Sequence, residues 1–493
     1  MKTHADYKTA AAALSHRHQL WIDGRHVPAV SGKTFQSIDP ATGQVLAEVA
    51  RGEAADIDRA VAAARAAFED GRWSRRTPTQ RKDVLLRLAA LIRANRDDLA
   101  LTDTLDMGKP ISETVNVDVP GAAHYFEWHA EALDKLYDEV APTGGRDLAL
   151  IRRVPLGVIG AVVPWNFPLD MATWKLAPAL ATGNSVVLKP AEQSPLSALR
   201  LAELAAEAGL PDGVLNVVPG YGEEAGQALG RHPDVDALVF TGSTAVGKLF
   251  QRYAGESNMK QVWLETGGKS PNLVFADADL DKAAEMAAFG IFFNQGEVCS
   301  ANSRLLVHES IAEDMLDRLK AKAEAIRQGD PLDPETQMGA MVDTDHATRV
   351  EGFLASGKQS ARLVTGGERL TIGSSDAFIQ PTIFADVPQD ARIAREEIFG
   401  PVLSVQTFSD DDEAVAMAHD TIYGLAASVW TRDLARALDI SDRLHAGTVS
   451  VNTVDALSAM TPFGGMKQSG FGRDLSLHAF DKYTALKTIW IKY

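Results

Sequence analysis

The run GVIGAVV at 157–163 opens a series of five apolar segments of strand length that decides the fold. The other four segments are SVVLK at 185–189, VLNVV at 214–218, DALVF at 236–240 and QVWLE at 261–265. Between them lie PLSALRLAELAAEAG and AVGKLFQRYAG, whose apolar residues recur with the period of a helix. Strands that alternate with helices in this way predict βαβ units, and therefore an α/β fold with a mostly parallel sheet.

A second alternating series lies closer to the C-terminus and predicts a second α/β domain. Its helical segments are DLDKAAEMAAFGIFF, SIAEDMLDRLKAKAEAI and DLARALDISDRL, and its strand-like segments are SRLLV, ASVWT and GTVSVN. The chain before residue 155 is predicted to be mainly helical, and TALKTIWIKY at the C-terminus reads as a single strand. A terminal strand without a neighbour in sequence must pair with a distant strand or with another subunit.

The composition excludes several classes of function. One cysteine in 493 residues cannot form an intrachain disulfide, which favours the cytoplasm. No stretch reaches ~18 apolar residues and the first residues do not resemble a signal peptide, so neither a membrane span nor secretion is expected. A net charge of -17 without any Lys/Arg run argues against nucleic acid or an anionic membrane as a partner. No metal site is predicted.

Three glycine motifs suggest phosphate binding but do not match the usual fingerprints. GSTAVGKL at 242–249 has the Walker A spacing of glycines and lysine, but Leu249 stands where Mg²⁺ coordination needs Ser or Thr. LETGGKSP at 264–271 contains GKS, but the first glycine of a Walker A motif would fall at the preceding residue, which is Trp263. GYGEEAG at 220–226 is GxGxxxG without a clearly placed acidic partner, so a tight turn is the simpler interpretation.

The one cysteine, Cys299, lies in FFNQGEVCSANS at 292–303, a polar segment with a glycine that follows an apolar helix. Packing does not require a thiol at this position. We therefore interpret Cys299 as a nucleophile.

Seven short segments together carry a resemblance that covers essentially the whole chain. They are PWNFP at 164–168, LKPAEQSP at 188–195, FTGST at 240–244, LETGGKSP at 264–271, FFNQGEVCSANS, EEIFGPV at 396–402 and PFGGMKQSGFGR at 462–473. Their order and spacing resemble those of the NAD(P)-dependent aldehyde dehydrogenases. The resemblance implies an NAD-binding Rossmann-like domain (1–133 and 155–266), an α/β catalytic domain (267–478) and a small β extension for oligomerisation (134–154 and 479–493).

The resemblance also implies a catalytic set. Cys299 would attack the aldehyde, the side-chain amide of Asn166 and the Cys299 backbone N–H would stabilise the oxyanion, and Glu265 would activate the water that hydrolyses the thioester. Relatives that pass the acyl group to coenzyme A lack this glutamate, so its presence indicates hydrolysis to a free acid.

For the cofactor, the resemblance implies three groups of residues. Lys189 and Glu192 would contact the adenosine ribose. Residues near the pyrophosphate would be Trp165, Gly242, Ser243, Thr244 and Gly247, the last four around a helix N-terminus, which favours anions. Glu397 and Phe399 would contact the nicotinamide ribose. The Glu192 carboxylate would repel a 2′-phosphate, so NAD⁺ is expected over NADP⁺, with some NADP⁺ use allowed by Lys189.

The resemblance implies a substrate tunnel in which Phe167, Trp174, Leu457 and Phe463 form an apolar throat. Asp170 departs from the family, whose members commonly carry an apolar residue there. A carboxylate in such a tunnel suggests recognition of an amino or guanidino group, but Asp170 could equally point to solvent or cap the following helix.

Segments such as TLDMGKPI at 104–111 and the C-terminal SGFGRDLSLHAFDKYTALKTIWIKY resemble the bacterial γ-glutamyl-γ-aminobutyraldehyde and 4-guanidinobutyraldehyde dehydrogenases of polyamine and arginine catabolism. An amino-, guanidino- or γ-glutamylamino-butyraldehyde is therefore the expected substrate. One alternative is a broad or aromatic aldehyde dehydrogenase, for example for indole-3-acetaldehyde, and another is a catalytically silent structural protein. A homodimer or homotetramer is expected.

Overall fold

The computed structural model describes residues 1–493. The strands are β1 (Leu20–Ile22), β2 (Arg25–Val27), β3 (Thr34–Ile38), β4 (Val45–Ala50), β5 (Glu139–Ala141), β6 (Asp147–Pro155), β7 (Val158–Val162), β8 (Ser185–Lys189), β9 (Leu215–Val217), β10 (Ala237–Thr241), β11 (Gln261–Glu265), β12 (Pro271–Val274), β13 (Arg304–His308), β14 (Arg362–Thr365), β15 (Arg369–Ile372), β16 (Ser375–Ile379), β17 (Thr382–Ala385), β18 (Val402–Phe408), β19 (Ala426–Trp430), β20 (Thr448–Val451), β21 (Gly470–Phe471) and β22 (Thr484–Lys492).

The helices are α1 (His4–Ala13), α2 (Ala54–Glu69), α3 (Pro78–Ala94), α4 (Arg96–Met107), α5 (Ile111–Glu113), α6 (Val119–Ala132), α7 (Pro168–Ala181), α8 (Leu196–Glu207), α9 (Gln227–Arg231), α10 (Thr244–Gly255), α11 (Leu280–Phe292), α12 (Ala312–Glu324), α13 (Thr344–Ser360), α14 (Arg392–Arg395), α15 (Asp411–His419) and α16 (Leu434–Arg443). No helix combines the length and the apolar character needed to cross a membrane.

The five predicted apolar segments form the parallel centre of the first sheet, which confirms the α/β fold class. Its strand order is β2-β1-β9-β8-β7-β10-β11-β21, and β7 to β11 pair in parallel. All side chains of β7, β8 and β10 are buried because helices cover both faces of the sheet, as the unbroken apolar runs require. The strand β21 adds an antiparallel edge from a segment near the C-terminus.

The second sheet has the order β14-β17-β18-β13-β12-β19-β20 and is parallel except for the β14–β17 pair. The predicted segments SRLLV, ASVWT and GTVSVN correspond to β13, β19 and β20, whereas β12 and β14 to β18 were not predicted. The N-terminal region also contains the strands β1 to β4 besides its helices.

The C-terminal strand β22 pairs antiparallel with β6 of the same chain along its whole length, and β5 pairs with the other edge of β6. This small sheet lies apart from the two large ones. Most side chains of β22 are exposed on both of its faces.

Candidate active site

The first sheet changes its winding direction between β7 and β10, which are neighbours in the sheet although β8 and β9 lie between them in the chain. At such a switch point the loops that leave adjacent strands diverge and open a crevice at the carboxyl ends of the strands. The chain leaves β7 toward Trp165 and Asn166, and it leaves β10 toward Gly242 and Ser243. The topology therefore brings together two segments that sequence motifs had marked separately.

A cavity of about 660 Å³ occupies this crevice and extends between the two large sheets. Most of the expected site residues line it. They are Trp165, Asn166, Phe167, Asp170, Trp174, Gly242, Ser243, Glu265, Cys299, Glu397, Phe399, Leu457 and Phe463. Lys189, Glu192, Thr244 and Gly247 do not line this cavity.

The loop that carries Cys299 is shaped by a left-handed turn. Asn294, Gln295 and Gly296 have φ angles of 47°, 55° and 72°, so the chain reverses at the end of α11 before it reaches the cysteine. On the opposite side, a Cβ on Gly268 would lie 2.3 Å from the carbonyl oxygen of Cys299. The loop after Glu265 can therefore approach the cysteine only because residue 268 is glycine.

The side chain of Asn166 is fixed against the same loop. Its Nδ2 donates a hydrogen bond of 2.7 Å to the carbonyl oxygen of Glu297. The amide of Asn294 donates to the carbonyl oxygens of Asn166 and Glu297, at 3.1 and 3.2 Å. An amide nitrogen carries two hydrogens, so Asn166 keeps one donor for a ligand while the other fixes its orientation.

Glu265 stands at the carboxyl end of β11, is only 4% exposed and has no hydrogen-bond partner for Oε1. Burial, helped by the nearby Asp474, raises the pKa of Glu265 to about 8. Asp474 itself is buried between Lys175, at 2.5 Å, and Lys482. A carboxyl group with this pKa exchanges protons near neutral pH, as a general base must.

Cys299 is half-buried and reduced. Burial raises the pKa of its thiol well above the ordinary value, and the carboxyl groups of Glu265, Asp455 and Glu397 raise it further. The resting side chain is therefore a neutral thiol that needs a base to become a nucleophile.

At the other end of the cavity, Trp165, His346 and Phe399 form an aromatic cluster with ring centroids 5.1 to 6.1 Å apart. Glu397 accepts a 3.0 Å hydrogen bond from the Gly268 N–H, and a Cβ on Gly267 would lie 2.1 Å from Glu397 Oε2. The loops of Glu265 and Glu397 are thus held together.

Outside the cavity, Lys189 ends β8 and forms an ion pair of 2.7 Å with Glu192. Ser243 is the N-cap of α10, where its side chain accepts from the Val246 N–H, and Thr244 begins the helix. Gly247 lets this first turn pack on β11, because a Cβ there would lie 3.0 Å from Thr266.

Asp170 lies in the first turn of α7 but makes no capping hydrogen bond. Asp103 of α4 instead accepts from the Leu169 N–H at 3.3 Å. The Asp170 carboxyl group is 8% exposed, lines the cavity and has no hydrogen-bond partner for Oδ1. Burial raises its pKa well above the ordinary value, and the nearby Asp118 adds to the effect.

The apolar throat expected from the sequence is present, since Trp174 packs edge to face on Phe463 at 5.4 Å and on Tyr125 at 5.7 Å. Several lining residues with polar or charged groups were not predicted, namely Tyr125, Thr241, Ser300, His346, Arg349 and Asp455. His346 and Arg349 lie one turn apart on α13, outside every motif. Asp455 lies two residues before the expected throat residue Leu457 but was not itself predicted.

Comparison with known proteins agrees with this geometry. The family model described as the aldehyde dehydrogenase family matches residues 26–489. The NADP/NAD-dependent aldehyde dehydrogenase PuuC of Escherichia coli (strain K12) is 54% identical over 488 residues, 99% of this chain and 98% of PuuC.

Two solved structures are similar over 100% of both chains. A crystal structure of indole-3-acetaldehyde dehydrogenase with NAD⁺ superimposes with a TM-score of 0.99 at 54% identity. That of γ-glutamyl-γ-aminobutyraldehyde dehydrogenase from Burkholderia cenocepacia J2315 superimposes with a TM-score of 0.98 at 55% identity.

Proposed function

The chain belongs to the aldehyde dehydrogenase family and is an NAD-dependent oxidoreductase that acts on aldehydes, and from this premise we propose its substrate class and the role of each site residue. The substrate is an aldehyde whose far end carries an amino or guanidino group, and the product is the free carboxylic acid. The observation that supports this choice is the buried carboxyl group of Asp170, which lines the cavity without a partner.

The first step is attack by Cys299 on the aldehyde carbon. Because the thiol is neutral at rest, it loses its proton to solvent in the cavity as the C–S bond forms, and Glu265 acts only in the later hydrolysis. The aldehyde oxygen becomes an oxyanion, which accepts from the free N–H of Asn166 and from the Cys299 backbone N–H. Removal of one such donor typically slows a reaction ~10²- to 10³-fold.

The residues around the cavity fit a dinucleotide. Thr241 offers a buried hydroxyl that has no partner in the chain, and the N-terminus of the twelve-residue α10 stands beside it. Trp165, Ser243 and Gly242 would hold the pyrophosphate, Lys189 and Glu192 the adenosine ribose, and Glu397 and Phe399 the nicotinamide ribose. Bound NAD⁺ supplies the hydride acceptor, and the loss of hydride leaves a thioester on Cys299.

Hydrolysis of the thioester completes the cycle. Glu265 takes a proton from water as the oxygen attacks the acyl carbon, and the C–S bond then breaks to release the acid and regenerate Cys299. The balance is one aldehyde, one NAD⁺ and one water converted to one acid, one NADH and one proton.

The test compares 4-aminobutyraldehyde with pentanal, in which a methyl group replaces the ammonium. If Asp170 binds the cation, the wild type prefers 4-aminobutyraldehyde in kcat/KM, and Asp170→Leu reduces that preference by ~1 to 3 kcal/mol, about 5- to 150-fold. The proposal would be contradicted if the wild type and Asp170→Leu showed the same ratio of kcat/KM for the two aldehydes.

A second candidate function is oxidation of an aromatic aldehyde, favoured by Tyr125, Trp174 and Phe463 around the cavity. Indole-3-acetaldehyde in the same assay separates the two. If it leads in kcat/KM and Asp170→Leu improves it further, the aromatic assignment replaces the cationic one.

We also propose that the chain forms a homodimer or homotetramer in the cytoplasm. A three-stranded sheet with both faces open is not stable by itself. The sheet of β22, β6 and β5 exposes Trp490 and Leu486 by 61% and 63%, and Val140 by 65%. A second copy would cover these side chains.

A further inference from the structure

The part of the cavity that would hold the substrate contains carboxyl groups and no cationic side chain. Asp170 and Asp455 both line it, together with Tyr125. The basic residues of the cavity wall, Arg349 and His346, are engaged elsewhere. Arg349 donates to the carbonyl oxygens of Ile398 and Glu397, and His346 bonds to that of Phe399.

Asp455 is held in place by the residue that follows the nucleophile. Ser300 Oγ donates to Asp455 Oδ1 at 2.6 Å, and no side chain or backbone group of the chain bonds to Oδ2. The φ angle of Asp455 is 47°, so the loop after β20 turns sharply at this residue. One carboxylate oxygen is therefore anchored beside Cys299 while the other is open to the cavity.

Asp170 lies on the opposite wall, close against α6. A Cβ on Gly121 of α6 would lie 3.0 Å from Asp170 Oδ1 and 3.5 Å from the Tyr125 ring. Behind this wall, Lys109 is already paired with Asp118 at 2.7 Å, and both are fully buried. The ion pair of Lys109 is thus made with Asp118, and no lysine forms an ion pair with Asp170.

We propose that Asp455 is a second specificity-determining residue, which acts with Asp170 to select aldehydes that end in a cation without a carboxylate of their own. This inference rests on the proposed function and narrows it. A cation gains from both carboxylates within aromatic walls of low polarity. An anionic or zwitterionic end brings a carboxylate of its own, which meets no positive group there, and the site therefore discriminates against it.

The experiment measures kcat/KM with NAD⁺ for four aldehydes: 4-guanidinobutyraldehyde as the cation, γ-glutamyl-γ-aminobutyraldehyde as the zwitterion, succinic semialdehyde as the anion and pentanal as the neutral reference. The wild type is expected to prefer the cation over the zwitterion at least tenfold. Asp455→Asn should lower the ratio of cation to pentanal and raise the ratio of anion to pentanal, each about tenfold.

Ser300→Ala is the matched control, because it removes the hydrogen bond to Asp455 but keeps the carboxylate. If Asp455→Asn slows all four aldehydes equally, or if Ser300→Ala changes the ratios more than Asp455→Asn does, Asp455 only shapes the loop and the inference is wrong. If the zwitterion equals the cation in the wild type, the inference also fails, although the Asp170 proposal stands. If pentanal leads, the proposed substrate class itself fails.

Discussion

Replacement of Glu265 by Gln separates the two halves of the reaction. Gln keeps the shape of the side chain but cannot take a proton from water. General-base catalysis contributes ~10²- to 10⁴-fold, so steady-state turnover should fall by that factor. Hydride transfer precedes hydrolysis, and the variant should therefore release up to one NADH per active site in a burst and accumulate an acyl group on Cys299.

The pKa of Glu265, about 8, gives the size of the pH effect. About one tenth of the group is ionised at pH 7 and about nine tenths at pH 9, so wild-type hydrolysis should rise about tenfold over this range. The variant should lack this rise. Stopped-flow NADH fluorescence, with mass spectrometry of the quenched protein, measures the burst and the acyl adduct.

The same substitution should stabilise the protein at high pH. Burial raises the pKa of Glu265 from 4.5 to about 8, so the native state holds the proton to a higher pH than the unfolded state does. The stability that this proton provides is complete below pH ~4.5 and is lost as the pH rises through 8, a loss of about 3 to 6 kcal/mol. Glu265→Gln should gain free energy of unfolding relative to the wild type between pH 5 and 9.

Glu297→Gln provides the matched control. Glu297 is fully buried two residues before Cys299, burial raises its pKa well above the ordinary value, and it does not line the cavity. As the pH rises, Glu297→Gln should also gain free energy of unfolding relative to the wild type, but its steady-state turnover should stay at the wild-type level. Full steady-state turnover in Glu265→Gln, or a burst that the control shares, would refute the assignment of Glu265 as the base.

Two further predictions concern the cofactor and the assembly. Glu192→Gln should raise the ratio of kcat/KM with NADP⁺ to that with NAD⁺ about tenfold. The substitution removes a carboxylate that would repel the 2′-phosphate, and it frees Lys189 from its 2.7 Å ion pair with Glu192. An unchanged ratio would mean that the adenosine ribose binds elsewhere. Trp490→Asp should shift the protein toward monomer in sedimentation velocity. The control is Met259→Asp, which should cause no shift, because this methionine is 85% exposed and far from β22 in sequence. If both variants sedimented like the wild type, the proposed interface would be contradicted.

The parallel strands of the first sheet were predictable because helices cover both of its faces. The segments that form β7, β8 and β10 are fully buried, so each is an unbroken apolar run. Such a run predicts a buried strand without any information about the strands that pair with it. The strands β3 and β14 are partly exposed and short, and their residues alternate or mix polar and apolar types. These strands form because they pair with β4 and β17, and no local sequence pattern reveals that pairing.

The segments that carry the proposed catalytic residues could be recognised in the sequence for a different reason. Asn166, Glu265 and Cys299 lie in motifs with unusual local requirements, such as the left-handed turn at Asn294 and the close approach at Gly268. His346 has no such requirement. It reaches the cavity only because α13 packs beside the Phe399 loop, so its place depends entirely on tertiary structure.

Asp170 shows where sequence reasoning reached its limit. An aspartate in the first turn of a helix is a common capping residue, and the local sequence of α7 contains nothing against that role. The alternative depends on Asp103, which lies 66 residues before Leu169 and accepts the Leu169 N–H in place of Asp170. It also depends on Gly121, which leaves room for the carboxyl group against α6. Once both contacts are known, the helix no longer needs the Asp170 side chain, which is left free for the proposed contact with the cationic end of a substrate.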